Sequence, residues 1–150
     1  MKQFVRGLFI AVVIAAVGAG WYLPAKGRVS YAADATSSAS QTVKVRSGVS
    51  FEIISAKTAK RLMDKGGVTI VDVRRQDEYA AGHVKGAIHV PNESIGNSAP
   101  AKLPDKNAVL LVYCRTGIRA RDASQKLAEL GYKHVYDFGG IRDWPYETEK

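Results

Sequence analysis

At 150 residues, 46% of them hydrophobic and 24% charged, the chain has the size and composition of one soluble globular domain. Its single cysteine, Cys114, excludes an internal disulfide framework, a cysteine-rich zinc site and a dithiol redox pair. The formal net charge of +8 falls to +5 over residues 36–150, which hold 18 Lys+Arg and 13 Asp+Glu. Because neither a basic run nor an aromatic ladder accompanies this charge, nucleic-acid binding is not indicated.

The first 35 residues form a separate segment. Lys2 and Arg6 precede an uncharged run of 19 residues, 7–25, and the segment closes on an Ala-x-Ala sequence that ends at Ala35. This order is typical of an export signal, whereas the length of the apolar run also suits an uncleaved membrane anchor. The long gap between the run and Ala-x-Ala slightly favours the anchor. Both interpretations place the rest of the chain outside the cytoplasm, in the periplasm, secreted or held at the inner membrane by residues 7–25.

The next segment, residues 36–50, is rich in Ser, Thr and Ala without an apolar period, and it predicts a linker. The folded domain is predicted over 51–147, beginning with a short strand at FEII, 51–54. Ser55 is a favourable helix N-cap, and the helix that follows is predicted to run through Lys65 and to end at the next two glycines.

The middle of the chain alternates short apolar runs with a short helical stretch. The predicted elements are a strand at 68–73, a helix around 77–81, a turn region at 82–86, a strand at 87–90 and a long connection at 92–107. AVLLVY at 108–113 then follows. This run is apolar on both faces, which is typical of a strand buried inside a parallel sheet.

After Cys114 the apolar period changes to that of a helix. One helical face is formed by Ala120, Ala123, Leu127 and Leu130, and Gly131 ends the helix. KHVYDF at 133–138 predicts a strand, and a Gly-Gly turn and a last helical turn at 141–144 follow it. Strands that alternate with helices predict an α/β fold, with a small parallel β-sheet flanked by helices on both faces.

Cys114 is predicted to lie at the carboxyl end of a central strand, directly before a helix. Ligands of open parallel sheets bind at this edge, and the free N–H groups of a helix N-terminus favour an anion or a thiolate. Gly117 allows the short connection to curl, so that several N–H groups point inward. The sequence therefore predicts a cradle for an anionic substrate around a reactive thiolate.

The arginines near the cysteine strengthen this interpretation. The helix dipole disfavours cations at a helix N-terminus, so Arg115, Arg119 and Arg121 in this region indicate that an anion is expected. A lone cysteine at the end of an apolar strand is by composition more often an inert core residue, and surface arginines are usually only solvated. The order strand, cysteine, glycine, arginine and helix favours the reactive interpretation.

Three stretches of the chain together resemble the single-domain rhodaneses, a family of sulfurtransferases, over about residues 50–145. They are VDVRRQDEYAAGHVKGAIHVP with Asp72, Arg74, Glu78, His83, Gly86 and Ala87, the loop YCRTGIRA, and ELGYKHVYDFGGIRDW. The resemblance implies a rhodanese-like fold, and the short exported format is similar to the phage-shock type of periplasmic rhodanese. One departure is that Pro145 follows Trp144 directly, where the family usually continues into a Gly-Pro segment.

The length of the cysteine loop separates two chemistries on this fold. Sulfurtransferases of the family resemble this chain in having a six-residue loop, here Cys114 to Arg119. The related phosphatases and arsenate reductases carry an arginine six positions after the cysteine, where this chain has Ala120. The shorter loop therefore favours transfer of a sulfur atom, and a phosphatase or arsenate reductase is the less favoured alternative.

The resemblance implies that the Cys114 thiolate takes a sulfur from an anionic donor such as thiosulfate, forms a persulfide and passes the sulfur to cyanide or a thiol. Backbone N–H groups of the loop would stabilise the persulfide, and the guanidinium groups of Arg115 and Arg119 would hold the donor's sulfonate end. The predicted substrate-binding residues are Arg115, Thr116, Gly117, Ile118 and Arg119. No metal and no organic cofactor is expected. A second hypothesis is a persulfide carrier that hands its sulfur to a partner protein.

Five residues of the matching stretches are assigned structural roles instead. Asp72 and Arg74 are predicted to form an ion pair, and His83 is predicted to bond to the backbone. Tyr113 and Trp144 are predicted to pack in the core.

Overall fold

The computed structural model describes residues 40–45 and 48–150, so the predicted signal or anchor segment at 1–35 lies outside the described residues. The strands are β1 Gln41–Lys44, β2 Ser50–Ile53, β3 Val68–Asp72, β4 His83–Val84, β5 Ile88–His89, β6 Val109–Cys114, β7 His134–Gly140 and β8 Thr148–Glu149. The helices are α1 Ala56–Lys65, α2 Gln76–Ala81 and α3 Ile118–Glu129. Short 3-10 turns span Asn92–Ser94 and Ile141–Asp143.

Six strands form the main sheet in the order β1-β2-β7-β6-β3-β5. Strands β2, β7, β6, β3 and β5 run parallel to one another, and only β1 is antiparallel to its neighbour β2. The predicted α/β class is therefore confirmed, with the correction that the sheet is mostly rather than wholly parallel.

Strand β1 lies inside the stretch 36–50 that was predicted to be a linker. That prediction is wrong for Gln41–Lys44, and Ser50 already belongs to β2. Val43 and Val45 pack against the core, while Thr42 and Lys44 are exposed. This alternation spans only four residues in a Ser-rich stretch, so the sequence pattern did not predict a strand. Pairing with β2 stabilises the segment as an edge strand.

Strand β6 is the centre of the molecule, and all six of its residues are buried. Its side chains alternate between two cores, as the pleat of a strand requires. Leu110, Val112 and Cys114 pack in the core under α3, whereas Val109, Leu111 and Tyr113 pack in the core under α1. Helices therefore cover both faces of the sheet, as the apolar run predicted.

Helix α1 has the predicted ends. Ser55 caps it by accepting a hydrogen bond from the Thr58 N–H at 3.1 Å, and Gly66 follows its last residue with a φ of 77°. The position of Gly66 favours glycine because side-chain-bearing residues rarely adopt this left-handed region.

The C-terminal end of the chain differs from the prediction. The turn region expected at 82–86 contains β4, which pairs antiparallel with β8, so the domain extends beyond residue 147 to Glu149. The Glu149 carboxylate also accepts a hydrogen bond from the Gly86 N–H at 2.7 Å. The Gly-Gly turn expected after residue 138 is likewise absent, because β7 continues through Gly140. Two-residue strands have no period of their own, so only their partners define them.

A buried polar network connects β3 to β6. Arg74 Nε donates to both Asp72 oxygens, at 3.0 and 2.9 Å, which confirms the predicted ion pair. The Tyr113 hydroxyl donates to Asp72 Oδ2 at 2.7 Å and accepts the Val84 N–H at 2.9 Å. Tyr113 is fully buried, so it packs as predicted and also completes the hydrogen bonding of the Asp72 carboxylate.

Within residues 40–45 and 48–150, none of the helices combines the length and the apolar character needed to cross a bilayer.

Replacing Tyr113 with Phe should lower the free energy of unfolding by about 1–3 kcal/mol, because it leaves the buried Val84 N–H without a partner and removes one of the donors to Asp72 Oδ2, which keeps only Arg74. Urea unfolding of the purified domain measures this change. Tyr136→Phe is the matched control, since Tyr136 is also buried but its hydroxyl makes no hydrogen bond among the described residues. Equal losses in the two variants would contradict the network's role.

Candidate active site

The cysteine loop makes a very short connection between a central strand and a helix. Strand β6 ends at Cys114 and α3 begins at Ile118, so three residues complete the turn. Gly117 has a φ of 98°, and its N–H donates to Cys114 Sγ at 3.1 Å. Cys114 is only 1% exposed. The sulfur therefore lies beside the N-terminus of a twelve-residue helix and receives a backbone hydrogen bond.

The end of strand β7 packs against the backbone of this loop. The pairing of β6 with β7 shifts between Val112 and Cys114, which inserts an extra residue into β7. A Cβ atom on Gly140 would lie 2.4 Å from the Arg115 carbonyl oxygen, so only glycine fits there. The Arg142 N–H donates to the same carbonyl at 3.3 Å. The loop backbone therefore lies directly against the backbone of β7.

Arg119 forms an ion pair that the sequence did not predict. Its two terminal nitrogens donate to the two Glu78 oxygens at 2.7 and 3.0 Å, in a bidentate arrangement. Glu78 Oε2 also accepts the Arg75 N–H at 3.0 Å. The hydrogen bond from Arg119 is the largest cause that lowers the pKa of Glu78, from its usual 4.5 to about 2. Glu78 is thus ionised near neutral pH and joins α2 to α3.

Arg115 and Arg119 border one side of the loop. A cleft of about 300 Å³ is lined there by Arg75, Asp77, Glu78, Arg115 and Arg119. Arg115 is exposed, and its side chain has no bonded partner among the described residues. The structure therefore brings the two predicted arginines together but leaves only Arg115 with an uncommitted guanidinium group.

The other predicted loop residues border a second cleft. Thr116, Gly117 and Ile118 line a cleft of about 590 Å³ whose remaining lining is Ile53, Ile54, Arg121, Asp122, Gln125, Asp137, Phe138 and Gly139. Ile118 is 80% exposed although it is a large apolar side chain. The six-residue loop therefore divides a basic cleft from a larger one with apolar walls.

Asp137 is a second carboxylate that the sequence reasoning missed. It is 1% exposed, and burial raises the pKa of its carboxyl group, although the Gly139 N–H and Arg121 oppose this shift. The Gly139 N–H donates to Asp137 Oδ1 at 2.9 Å, and Arg121 Nε lies 3.8 Å from Oδ2. Arg121, which had no firm assignment, therefore faces β7 and the larger cleft.

The sequence contained weak signals for both carboxylates. Glu78 belongs to the first of the matching stretches, but its partner Arg119 lies 41 positions further along the chain. Asp137 precedes the Gly-Gly pair by two residues, which is a common spacing for a side chain that bonds a turn N–H. Neither signal indicates which arginine lies next to the carboxylate.

Two of the three histidines, His83 and His89, bond to the backbone. His83 Nδ1 lies 3.1 Å from the Tyr79 carbonyl oxygen, as predicted, and His89 Nε2 lies 2.8 Å from the Arg74 carbonyl oxygen. Within the part of the chain that the structure describes, no group of three or more His, Cys, Asp or Glu side chains is arranged to hold a metal ion.

Known proteins match the part of the chain that holds this site. The family model described as Rhodanese-like domain matches residues 55–146. The chain is 38% identical over 73 residues to thiosulfate sulfurtransferase PspE of Escherichia coli (strain K12), which covers 49% of this chain and 70% of PspE. It is 35% identical over 95 residues to thiosulfate sulfurtransferase GlpE of Coxiella burnetii, which covers 63% of this chain and 87% of GlpE.

Solved structures give the same match. A rhodanese with anions from E. coli has 36% identity and a TM-score of 0.50, and the match covers 55% of this chain and 96% of that one. The rhodanese-like domain of the Alr3790 protein from Anabaena sp. has 27% identity and a TM-score of 0.58, over 63% of this chain and 76% of that one.

Glu78→Gln should remove the pH-dependent part of the bond to Arg119 and cost about 1.5–3 kcal/mol of unfolding free energy at pH 7. Since folding lowers the pKa of Glu78 to about 2, this stabilisation is complete above about pH 4.5 and is lost as the pH falls through about 2. Urea unfolding at several pH values should show that the difference in unfolding free energy between wild type and variant shrinks as the pH falls over that range. Glu129→Gln, an exposed helix position, is the control. A gap that is independent of pH would contradict the ion pair's contribution.

Gly140→Ala should force the cysteine loop away from β7 and destabilise the domain by about 1–3 kcal/mol, because the new methyl group overlaps the Arg115 carbonyl. Gly96→Ala is the matched control, since a Cβ there meets nothing within 4 Å. Thermal unfolding measures stability, and the amide NMR shift of Gly117 reports whether the loop has moved. An unchanged Gly117 signal in a folded Gly140→Ala protein would show that the contact does not shape the loop.

Proposed function

The chain belongs to the rhodanese-like domain family, and we propose that it is a sulfurtransferase that moves a sulfane sulfur from thiosulfate, or a related anion, through a persulfide on Cys114. The observation that carries the proposal is the placement of the Cys114 sulfur, which accepts the Gly117 N–H at the N-terminus of α3 and lies on a loop bordered by an arginine-lined cleft. The curated relatives PspE and GlpE, both thiosulfate sulfurtransferases, support the choice of donor.

The first step is an attack of the Cys114 thiolate on the outer sulfur of thiosulfate. The new bond joins Sγ to that sulfur, and the sulfur–sulfur bond of the donor breaks with its electron pair leaving on sulfite. The product on the enzyme is an anionic persulfide. The Gly117 N–H and the helix dipole favour negative charge at this position, in the manner of an oxyanion hole.

The second step regenerates the thiolate. Cyanide or a thiolate acceptor attacks the terminal sulfur of the persulfide, and the bond to Cys114 Sγ breaks with its electrons returning to the cysteine. Neither step requires an oxidant, a metal or a general base. In this proposal the Arg115 guanidinium group receives the donor's sulfonate end, and Arg119 adds positive charge while it holds Glu78.

The larger cleft favours a second candidate, a persulfide carrier that delivers sulfur to a partner protein. Exposed Ile118 and the apolar walls of Ile53 and Phe138 offer a contact surface next to the loop. A carrier would form the persulfide readily but release it slowly to small acceptors.

We also propose that the domain works outside the cytoplasm. This proposal rests on residues 1–35, whose sequence has the charge and apolar order of an export signal or anchor.

Incubation of the purified domain with thiosulfate should add one sulfur atom to Cys114, detected by mass spectrometry without reducing agent. Cys114→Ser should add none and should lose all turnover to cyanide, while its thermal unfolding stays close to that of wild type. Absence of the adduct on wild type would refute the sulfurtransferase. Fast loading with slow cyanide discharge would instead identify the carrier, and hydrolysis of an aryl phosphate would revive the phosphatase alternative.

A further inference from the structure

The basic cleft beside the cysteine loop contains charged side chains that the loop itself does not supply. Arg75, at the start of α2, lines it together with Arg115 and Arg119. Two carboxylates, Asp77 and Glu78, line the same cleft. Three arginines against two acids leave one net positive charge near neutral pH.

These five groups are not equally available to a ligand. Arg119 and Glu78 satisfy each other through two hydrogen bonds, so their charges are largely compensated. Arg75 is exposed, and its side chain has no bonded partner among the described residues, whereas its backbone N–H donates to Glu78 and its carbonyl oxygen accepts the Tyr79 N–H. The side chains of Arg75 and Arg115 are therefore the two uncommitted cations of the cleft.

We propose that Arg75 and Arg115 together form the subsite for the oxyanion end of the sulfur donor, and that Arg75 makes the site selective for a dianion such as thiosulfate over a monoanionic donor. This inference rests on the proposed function. Guanidinium groups bind planar and tetrahedral oxyanions through paired N–H donors. Two such groups from different elements suit an anion with several oxygens and two charges.

Asp77 has the opposite effect in the same cleft. It is exposed and has no bonded partner among the described residues, so its charge opposes an incoming anion. Removing it should therefore improve binding of a dianion, an effect that loss of a purely structural residue would not produce. Arg75 and Asp77 thus give two variants with expected changes of opposite sign.

The test compares thiosulfate, a dianion, with methanethiosulfonate, a monoanion that transfers the same sulfur atom and releases methanesulfinate. Persulfide formation on Cys114 is measured at increasing donor concentration for wild type, Arg75→Gln, Arg75→Lys and Asp77→Asn. Arg61→Gln, on the exposed surface of α1, is the matched control for loss of a cation.

Arg75→Gln should lower kcat/KM for thiosulfate about tenfold and for methanethiosulfonate about threefold or less, through a higher KM. Arg75→Lys should restore part of the loss, and Asp77→Asn should raise kcat/KM for thiosulfate about twofold. Arg61→Gln should leave kcat/KM for both donors unchanged. The proposal would be overturned if Arg75→Gln lost equal kcat/KM for both donors or lost none. It would also be overturned if Asp77→Asn had a lower kcat/KM for thiosulfate than wild type.

Binding to the unreactive Cys114→Ser protein separates this inference from the proposed function. Calorimetric titration with thiosulfate should give a Kd about tenfold higher when Arg75→Gln is added to Cys114→Ser. An unchanged Kd overturns the subsite even if wild type transfers sulfur. A raised Kd in a protein whose wild type forms no persulfide supports the subsite and refutes the sulfurtransferase.

Discussion

The contact between two backbones, that of the cysteine loop and that of β7, is the constraint on which the site depends. The chain turns from β6 into α3 within three residues, and it does so against Gly140, where a single methyl group would overlap the Arg115 carbonyl. That carbonyl lies against Gly140 of β7 and accepts the N–H of Arg142, in the 3-10 turn that follows β7. The Gly117 N–H faces the sulfur instead. The end of β7 and the turn after it therefore hold the Arg115 carbonyl, while the Gly117 N–H is left to bond the sulfur.

The Glu78–Arg119 pair is the second determinant of the site, because it decides which cations remain available. An arginine beside a helix N-terminus indicates an anionic partner, and the structure supplies that partner from within the chain. The pair fixes the start of α3 against α2 and leaves Arg115 and Arg75 facing the cleft. Charge patterns along a sequence therefore locate a basic site more reliably than they assign its individual ligands.

The features predictable from the sequence are those with a local period. The apolar run of β6 indicates burial on both faces, the spacing of Ala120, Ala123 and Leu127 indicates the buried face of α3, and the loop between them follows from their order. Strands β1, β4 and β8 were missed because four or two residues carry too little pattern, and their pairing partners alone define them. The pairing of Glu78 with Arg119 spans 41 positions and depends on how the fold brings α2 next to the start of α3. Such contacts are tertiary, so no window of sequence contains them.

In a sulfurtransferase of the proposed kind, the small net charge of the basic cleft would favour turnover, because it limits how tightly the product is held. In the proposed reaction, sulfite would leave through the cleft that admits thiosulfate, and both are compact anions with oxygen atoms that guanidinium groups bind. Three uncompensated arginines would hold donor and product alike, and such uniform binding does not accelerate the chemical step. Glu78 compensates Arg119 and Asp77 opposes the remaining charge, so the cleft keeps one net positive charge. The specific stabilisation is then left to the sulfur position, where the Gly117 N–H and the dipole of α3 would act on the charge of the proposed persulfide.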